Sequence, residues 1–254
     1  MGKPAVRRPV TRRKAFDNKW GRPFRAPFMI IMMKTARTEK YIELVSEPLE
    51  GYLEDVRDEA IREDIPIIRP SVRMLLRFLM RTNKPGKILE IGTAVGFSAL
   101  LMHEYNKNAK ITTIENYEPR LIKARENFRK YAAADKDSSD NDEFGNIKLL
   151  ASDAALEIKN LKNDEFDFVF LDAAKGQYIV LLPEIIRVLK SGGMLVSDNV
   201  LQDGDIIEPR AAVRRRDRTI YERMREYLSE ISVNESLESM ILPMADGITV
   251  SIKK

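Results

Sequence analysis

Short apolar segments alternate with stretches of helical spacing through most of this sequence, and this alternation constrains its fold more than any other feature. The strand-like segments are residues 87–91, 110–115, 146–150, 167–172 and 193–199. Each is followed by a stretch whose apolar residues recur with the period of a helix. Parallel strands need such helices as crossover connections. The sequence therefore predicts an α/β fold with a parallel sheet that helices cover on both faces.

The ends of the chain complete this prediction. Helical spacing runs through residues 39–63 with an interruption near Pro48, resumes over 71–83, and returns over most of 209–231. Two β segments, 239–245 and 247–254, are expected to form an antiparallel hairpin at one edge of the sheet. We therefore expect one domain over residues 35–254.

The composition excludes several kinds of chemistry. The chain has no cysteine, which removes disulfides, thiolate metal sites and cysteine nucleophiles. Its one histidine, His103, leaves little room for a Ser-His-Asp triad, and we interpret it as a structural residue. No apolar run reaches about 18 residues, so we expect no membrane span. No secretory signal core is recognisable, which favours a cytoplasmic protein.

Positive charge is concentrated at the N-terminus. Residues 1–34 contain ten Lys or Arg and one acid, Asp17, whereas the rest of the chain is mildly acidic. This basic arm is rich in proline and has no hydrophobic period, so we expect disorder. Three interpretations stay open: an unstructured leader, an arm that binds nucleic acid with Trp20 stacking on bases, and, less well supported, a transit peptide. A second polar segment, 133–145, is expected to be an exposed loop, because its acids lack the spacing of a calcium loop.

Polar residues stand at the carboxyl ends of the predicted strands, where open parallel sheets bind ligands. The first strand runs through Glu90 into the glycine-bearing turn Gly92–Ser98, and the second ends at Glu115. Glycines there let a ligand approach the backbone, and a carboxylate at the second strand end accepts ribose hydroxyls. These features favour a nucleoside cofactor, either a nicotinamide dinucleotide or S-adenosylmethionine. The alternative is a βα turn with no ligand.

Asp172, Asp198 and Asn199 follow two further strands and could hold Mg²⁺, which prefers oxygen ligands. Each acid alone would more commonly cap a turn. Lys175 comes three residues after Asp172. A nearby cation would favour its neutral amine, which could then act as a general base. The alternative is an exposed lysine at a helix start.

Four motifs in order carry a family resemblance: LEIGTAVGFSALLM, TIENYEP, FDFVFLDAAKGQY and GGMLVSDNVL. Over residues 38–254 the chain resembles the cation-dependent O-methyltransferases, the family of catechol and caffeoyl-CoA methyltransferases. The resemblance implies a class I S-adenosylmethionine-dependent methyltransferase fold, doubly wound, with a seven-stranded, mostly parallel sheet and an antiparallel last strand. It also implies a homodimer and a divalent cation.

The resemblance further implies roles for individual residues. In it, Glu90, Gly92 and Ser98 match the motif around the methionine part of the cofactor, Glu115 matches the ribose acid, and Asp153 and Ala154 lie beside adenine. The implied cofactor-binding residues are Glu90, Gly92, Gly96, Ser98, Glu115, Asp153, Ala154 and Asp172. Asp172, Asp198 and Asn199 match the metal ligands, and the implied catalytic residues are Lys175 and Asp172.

Two departures affect the expected substrate. Ala173 and Ala174 stand where the catechol enzymes have an aromatic wall, which implies a wider mouth. Four arginines, Arg214, Arg215, Arg216 and Arg218, lie near the expected rim and could contact phosphates or simply be solvated. With the ending MADGITVS, they resemble the bacterial branch that methylates 5-hydroxyuridine in tRNA. This predicts a tRNA-modifying enzyme that forms 5-methoxyuridine. The alternatives are a methyltransferase of small catechol-like phenols and a non-catalytic nucleic-acid binder.

Overall fold

The computed structural model describes residues 28–134 and 144–254, with side chains from residue 36 onward apart from Ala134 and Asp203. Most of the basic arm and the centre of the predicted polar loop lie outside these residues. Seven strands form a single sheet. They are β1 (Lys87–Ile91), β2 (Lys110–Glu115), β3 (Ile147–Ala151), β4 (Phe166–Leu171), β5 (Leu189–Ser197), β6 (Leu237–Leu242) and β7 (Ile248–Lys253).

Eight helices connect or flank these strands in the described parts of the chain. They are α1 (Phe28–Val45), α2 (Tyr52–Arg62), α3 (Pro70–Asn83), α4 (Phe97–Tyr105), α5 (Glu118–Ala134), α6 (Ala154–Glu157), α7 (Tyr178–Val188) and α8 (Arg218–Val233). Short 3-10 turns cover Ile158–Asn160, Lys175–Gln177, Gln202–Ile207 and Arg215–Asp217. No helix in the described residues is long and apolar enough to cross a membrane.

The strand order is β3-β2-β1-β4-β5-β7-β6. The strands from β1 to β5 are parallel, and β7 runs antiparallel to both of its neighbours. This is the doubly wound sheet with an antiparallel last strand that the resemblance implies, and the predicted C-terminal hairpin is confirmed. Because the order reverses between β1 and β4, the carboxyl ends of these strands border the crevice where such sheets bind ligands.

The core has two layers because successive residues of a strand point to opposite faces of the sheet. In β4, Phe168 and Phe170 pack with α2, α3, α4 and α5 on one face. Val169 and Leu171 pack with α7 and α8 on the other. All four side chains are fully buried, so β4 is the centre of the fold and its carboxyl end is rigidly held.

Several predicted boundaries differ from the structure. Among the strands, β5 begins at Leu189 rather than at residue 193 and ends at Ser197, so Asp198 and Asn199 follow it. Helix α8 begins at Arg218 rather than at residue 209, since residues 209–217 form turns. Helix α1 begins at Phe28, so residues 28–34 of the predicted arm have helical backbone. Lys175 lies in a 3-10 turn that precedes α7 and not in the helix itself. The predicted interruption near Pro48 is present between α1 and α2.

Candidate active site

The turn after β1 contains two glycines that both have positive φ, +105° at Gly92 and +86° at Gly96. A Cβ at Gly92 would overlap the main-chain carbonyl oxygen of Asp172 and lie 2.7 Å from its carbon. A Cβ at Gly96 would lie 2.8 Å from Cζ of Phe128. The sequence predicts that these glycines let a ligand approach the backbone. The structure shows instead that each makes room for another part of the protein.

Glu90 lies beneath this turn and is fully buried. Its carboxyl group accepts hydrogen bonds from the hydroxyls of Ser98 on α4 and Thr113 on β2. Burial raises the pKa of Glu90 to about 8, although the two hydrogen bonds act in the opposite direction. Glu90 therefore carries a proton at neutral pH and ties β1, β2 and α4 together. Glu90 and Ser98, which the resemblance assigns to one cofactor-binding motif, are thus in direct contact.

Glu115 occupies the end of β2 and is nearly buried. One carboxylate oxygen accepts the main-chain N–H of Ala94 at 3.0 Å, and the other accepts those of Asn116 and Tyr117, both at 3.0 Å. Backbone amides thus hold the carboxylate against the glycine turn. An anion fixed at this place presents the acceptor that a ribose diol needs.

Asp153 and Ala154 follow β3 at the next strand end. Asp153 is exposed and caps α6 by accepting the N–H of Ala155 at 2.8 Å, and Ala154 is half-buried. Both lie beyond the carboxyl end of β3, which neighbours the strand that ends in Glu115. The place beside adenine that the resemblance gives them stays a prediction.

Lys175 brings the residues of two strand ends together. Its Nζ donates to Asp172 Oδ1 at 2.8 Å, to Asn199 Oδ1 at 2.8 Å and to the hydroxyl of Tyr178 at 2.9 Å. The Tyr178 hydroxyl in turn lies 3.0 Å from the main-chain oxygen of Leu171 and 3.0 Å from that of Asp198, and it shares its single hydrogen between them. The ammonium group is therefore surrounded by oxygen atoms from the ends of β4 and β5.

Asp198 is buried beside this cluster. Burial, followed by the negative charge of Asp172, raises the pKa of the Asp198 carboxyl above its ordinary value, while Lys175 opposes the shift. The Asp172 carboxylate and the Asn199 amide oxygen thus contact one positive charge at the carboxyl ends of adjacent strands, and the Asp198 carboxyl feels the same charge. The donors are all oxygen, which suits a hard divalent cation such as Mg²⁺. The residues present therefore fit the cation that the resemblance implies.

No three Asp, Glu, His or Cys side chains gather into a metal site within residues 36–134 and 144–254. The candidate set has only two acids, with the Asn199 amide as its third member, and so differs from such a group. Asn199 has positive φ, +56°, directly after Asp198. This left-handed conformation is tolerated by asparagine and turns its side chain away from the direction of the strand.

Sequence reasoning missed three residues at this site. Tyr178 is fully buried and contacts Lys175, to which it stands at the i+3 position, a spacing that could have indicated the contact. Asp246, in the turn between β6 and β7, accepts the side-chain N–H of Asn199 at 3.3 Å. Arg69, directly before α3, donates to the same Asp246 oxygen at 2.6 Å. Neither of these two carries a local sequence signal.

The four arginines lie at the start of α8. Arg214, Arg215 and Arg216 are exposed, and Arg214 pairs with Asp217 at 2.9 Å. The Nε of Arg218 donates to the Val213 carbonyl oxygen at 3.2 Å. These contacts show surface side chains at a helix start, and phosphate contact stays a prediction.

Helix α8 connects this arginine cluster to the candidate site. Arg223 on α8 donates to the carbonyl oxygen of Gly176, the residue after Lys175. Arg218 is about 7.5 Å from Arg223 along the helix axis, at a rise of about 1.5 Å per residue. Beside the site, Ala174 is exposed and Ala173 half-buried, so small side chains occupy this part of the rim.

His103 lies on α4, away from the cluster of polar groups around Lys175. It is buried, and its Nδ1 is 3.1 Å from the hydroxyl of Tyr131 on α5. The two rings meet edge to face at 5.7 Å. The interpretation of His103 as a structural residue agrees with this packing between two helices.

Known proteins resemble the chain in sequence and structure. It is 24% identical over 197 residues to a catechol O-methyltransferase of Niastella koreensis, covering 74% of this chain and 82% of that protein. It is 27% identical over 189 residues to a caffeoyl-CoA O-methyltransferase of Stellaria longipes, covering 71% and 73%. The SAH-bound methyltransferase PaMTH1 of Podospora anserina superposes with a TM-score of 0.74 at 25% identity, covering 92% of this chain and 98% of PaMTH1.

A model of the O-methyltransferase family matches residues 43–254. That range contains every strand of the sheet and all the residues of the candidate site, from Arg69 to Asp246. The family resemblance is therefore confirmed at this level. This protein belongs to the O-methyltransferase family.

Proposed function

We propose that the protein transfers a methyl group from S-adenosylmethionine to a hydroxyl that lies beside a second oxygen, with the help of a divalent cation. One observation carries this proposal. Asp172 Oδ1 and Asn199 Oδ1, from the ends of two adjacent strands, both lie within hydrogen-bonding distance of Lys175 Nζ. We further propose that the acceptor is 5-hydroxyuridine in tRNA, whose 5-hydroxyl stands beside the O4 carbonyl.

The cofactor assignment is supported by Glu115. Glu115 is held by three backbone amides at the carboxyl end of β2, where a ribose would place its two hydroxyls. When bound, S-adenosylmethionine supplies an electrophilic methyl group. The SAH-bound state of PaMTH1 agrees with this assignment. Glu90, which accepts hydrogen bonds from Ser98 and Thr113, would hold the turn in a fixed position against the cofactor.

The cation would be held by Asp172, Asp198 and Asn199. Such an ion supplies positive charge that stabilises negative charge developing on a substrate oxygen. Lys175 lies between the same ligands, with Nζ 2.8 Å from Asp172 Oδ1. As a neutral amine, Nζ would be placed to take the proton from the acceptor hydroxyl. Tyr178 supports Lys175 by accepting a hydrogen bond from Nζ while sharing its single hydrogen between two main-chain oxygens.

The RNA substrate is supported by the rim of the site. Ala173 and Ala174 leave room for a group larger than a free phenol. The arginine cluster lies in the turn that leads into α8 and at the first residue of that helix, and Arg223 of α8 contacts the turn carrying Lys175. Arginine side chains bind phosphates strongly. The absence of cysteine agrees with transfer to oxygen, since methylation at C5 of uridine commonly needs a cysteine adduct.

A second candidate is a small catechol-like phenol. It presents the same pair of neighbouring oxygens to the cation and Lys175. The catechol and caffeoyl-CoA methyltransferases among the relatives favour it. A small phenol has no phosphates for the arginine cluster to bind. A comparison of tRNA with catechol as acceptor therefore distinguishes the two candidates.

The experiment incubates the full chain with S-adenosylmethionine and either tRNA carrying 5-hydroxyuridine or catechol, with Mg²⁺ or EDTA. Mass spectrometry of the digested tRNA detects 5-methoxyuridine. We expect product from tRNA that EDTA abolishes and that Asp172→Ala removes. Asp58→Ala, which deletes an exposed acid on α2, is the matched control and keeps activity.

Methylation of catechol without methylation of tRNA would assign a small phenol and overturn the RNA substrate. Activity that is unchanged by EDTA and by Asp172→Ala would overturn the cation. Absence of methyl transfer to either acceptor would contradict the proposal as a whole.

A further inference from the structure

The Asn199 side chain lies between two neighbours of opposite hydrogen-bonding character. Its Oδ1 accepts from the Lys175 ammonium at 2.8 Å, and its Nδ2 donates to Asp246 Oδ2 at 3.3 Å. An ammonium group can only donate, and an ionised carboxylate can only accept. These two neighbours therefore determine that the oxygen end of the amide points toward Lys175 and the NH₂ end toward Asp246.

Asp246 is itself held in place from two sides. The Arg69 guanidinium donates to the same Oδ2 at 2.6 Å, and the Asp246 residue is 9% exposed. Its main-chain oxygen accepts the N–H of Leu201 at 2.8 Å, and the next oxygen, that of Gly247, accepts the N–H of Val200 at 2.9 Å. The turn between β6 and β7 is thus fixed to the segment that directly follows Asn199.

From this geometry we infer that Asp246, held by Arg69, is a positioning residue that keeps the amide oxygen of Asn199, and not its NH₂ group, directed toward the cation. The inference rests on the proposed cation site. An amide that rotates by half a turn would present N–H hydrogens to a positive ion, and that contact is repulsive. The correct orientation therefore requires an acceptor behind Nδ2, and Asp246 supplies it.

A carboxylate at position 199 would not need this help, because its two oxygens are equivalent. The dependence on Asp246 should therefore disappear when Asn199 is replaced by aspartate. If Asp246 acted through its negative charge alone, Asp246→Ala and Asp246→Asn would weaken metal binding equally, because both substitutions remove that charge. Only Asp246→Ala also removes the acceptor.

The experiment measures Mn²⁺ affinity of the purified full chain by electron paramagnetic resonance of free Mn²⁺, without substrate or turnover. We expect Asp246→Ala to bind Mn²⁺ about tenfold more weakly than Asp246→Asn, a size typical of groups that orient metal ligands. In the Asn199→Asp background the two substitutions should give equal affinities. Asp58→Ala is the control for loss of an acid elsewhere, and thermal unfolding checks that each variant is folded.

Equal affinities of Asp246→Ala and Asp246→Asn in the wild-type background would overturn the inference. So would a tenfold difference that persists in the Asn199→Asp background, because that result indicates a general structural role. If Asp246→Ala does not fold, Asp246→Leu replaces it, as it keeps the branched shape without an acceptor. A wild-type chain that binds no Mn²⁺ would overturn the proposed cation site and this inference together, which distinguishes that failure from the first two.

Discussion

Gly92 faces the main-chain carbonyl group of Asp172 so closely that a Cβ on Gly92 would lie 2.7 Å from the carbonyl carbon. The ends of β1 and β4 can approach in this way only if residue 92 lacks a side chain. Two separate parts of the candidate site, the glycine turn and the Asp172 end of β4, are therefore joined by a contact within the protein.

The first prediction follows from this contact. Gly92→Ala should destabilise the fold by roughly 3 kcal/mol or more, because it adds a steric overlap to the cost of about 1–2 kcal/mol for a left-handed backbone. Urea unfolding measures the loss. Gly192→Ala is the matched control, since Gly192 also has positive φ, +77°, but no atom lies within 4 Å of its would-be Cβ. Equal losses of unfolding free energy for the two substitutions would show that the end of β4 moves away from the added Cβ at little cost.

Glu90 should make stability depend on pH. Its pKa rises from 4.5 to about 8 in the folded protein, so the folded state binds a proton that the unfolded state releases. The stabilisation is complete below about pH 4.5 and is lost as the pH rises to about 8. The unfolding free energy of the wild type, relative to that of Glu90→Gln, should fall by up to about 1.4 kcal/mol per pH unit across this window. Urea titrations at several pH values measure this difference between the two proteins. The contributions of all other titratable groups are common to both and cancel. A difference that does not change with pH would contradict a protonated Glu90.

Glu115 should contribute directly to cofactor affinity. Glu115→Gln keeps the shape of the side chain but removes the charge that three backbone amides hold. We expect the dissociation constant for S-adenosylhomocysteine to rise about tenfold or more, because hydrogen bonds to charged groups contribute about 1.5–3 kcal/mol. Isothermal titration calorimetry measures it. Glu118→Gln, an exposed acid at the start of α5, should leave the affinity unchanged, and a similar loss in both variants would refute a specific role for Glu115.

Removal of the Lys175 amine should slow the chemical step more than it weakens binding. Lys175→Met should lower kcat by roughly 10²–10⁴, the usual contribution of a general base. The affinity for S-adenosylhomocysteine should change far less, and calorimetry checks this. Lys190→Met is the control, because Lys190 pairs with Asp167 at the other end of β4 and β5. Retention of kcat in Lys175→Met would exclude Lys175 as the base.

The arginine cluster should appear in the salt dependence of tRNA binding. Arg215→Gln combined with Arg216→Gln should reduce the slope of log affinity against log salt by about one for each arginine that contacts a phosphate. Filter binding at several salt concentrations measures the slope. Lys87→Gln combined with Lys110→Gln is the control, since these lysines begin β1 and β2 at the opposite edge of the sheet. Identical slopes for the wild type and the arginine variant would show that Arg215 and Arg216 contact solvent and no phosphate.

Much of the fold could be predicted from local sequence patterns. The bounds of β1 and β2 match the prediction because both strands are short, begin at a lysine and carry buried isoleucines. The start of α8 was wrong because residues 209–217 include good helix formers, while tertiary contacts hold them in turns. The Nε of Arg210, for example, donates to Oε1 of Glu222 on α8 at 2.6 Å. The start of α1 was wrong because the positive charge of the arm concealed the apolar run at 28–33.

Some contacts of the candidate site could likewise be predicted from the sequence, and others could not. Asp172, Asp198 and Asn199 could be predicted to meet because each stands at the end of a parallel strand, a position that topology fixes. The Arg69–Asp246 pair could not, since it joins residues 177 positions apart and neither lies at the end of a parallel strand. Such pairs depend on how the C-terminal hairpin packs against the start of α3, which periodicity does not encode.

The antiparallel pairing of β7 with β5 has a consequence for how the chain is made. When β5 has been synthesised, only β4 is present to pair with it, because its other neighbour is residues 248–253. About fifty residues separate the two strands, so the ribosome needs roughly 3–10 seconds to supply β7. During that time the strand that leads into Asp198 and Asn199 is an open sheet edge, the kind of surface on which nascent chains aggregate. Completion of the site and protection of the growing chain therefore happen in one event, the arrival of the C-terminal hairpin.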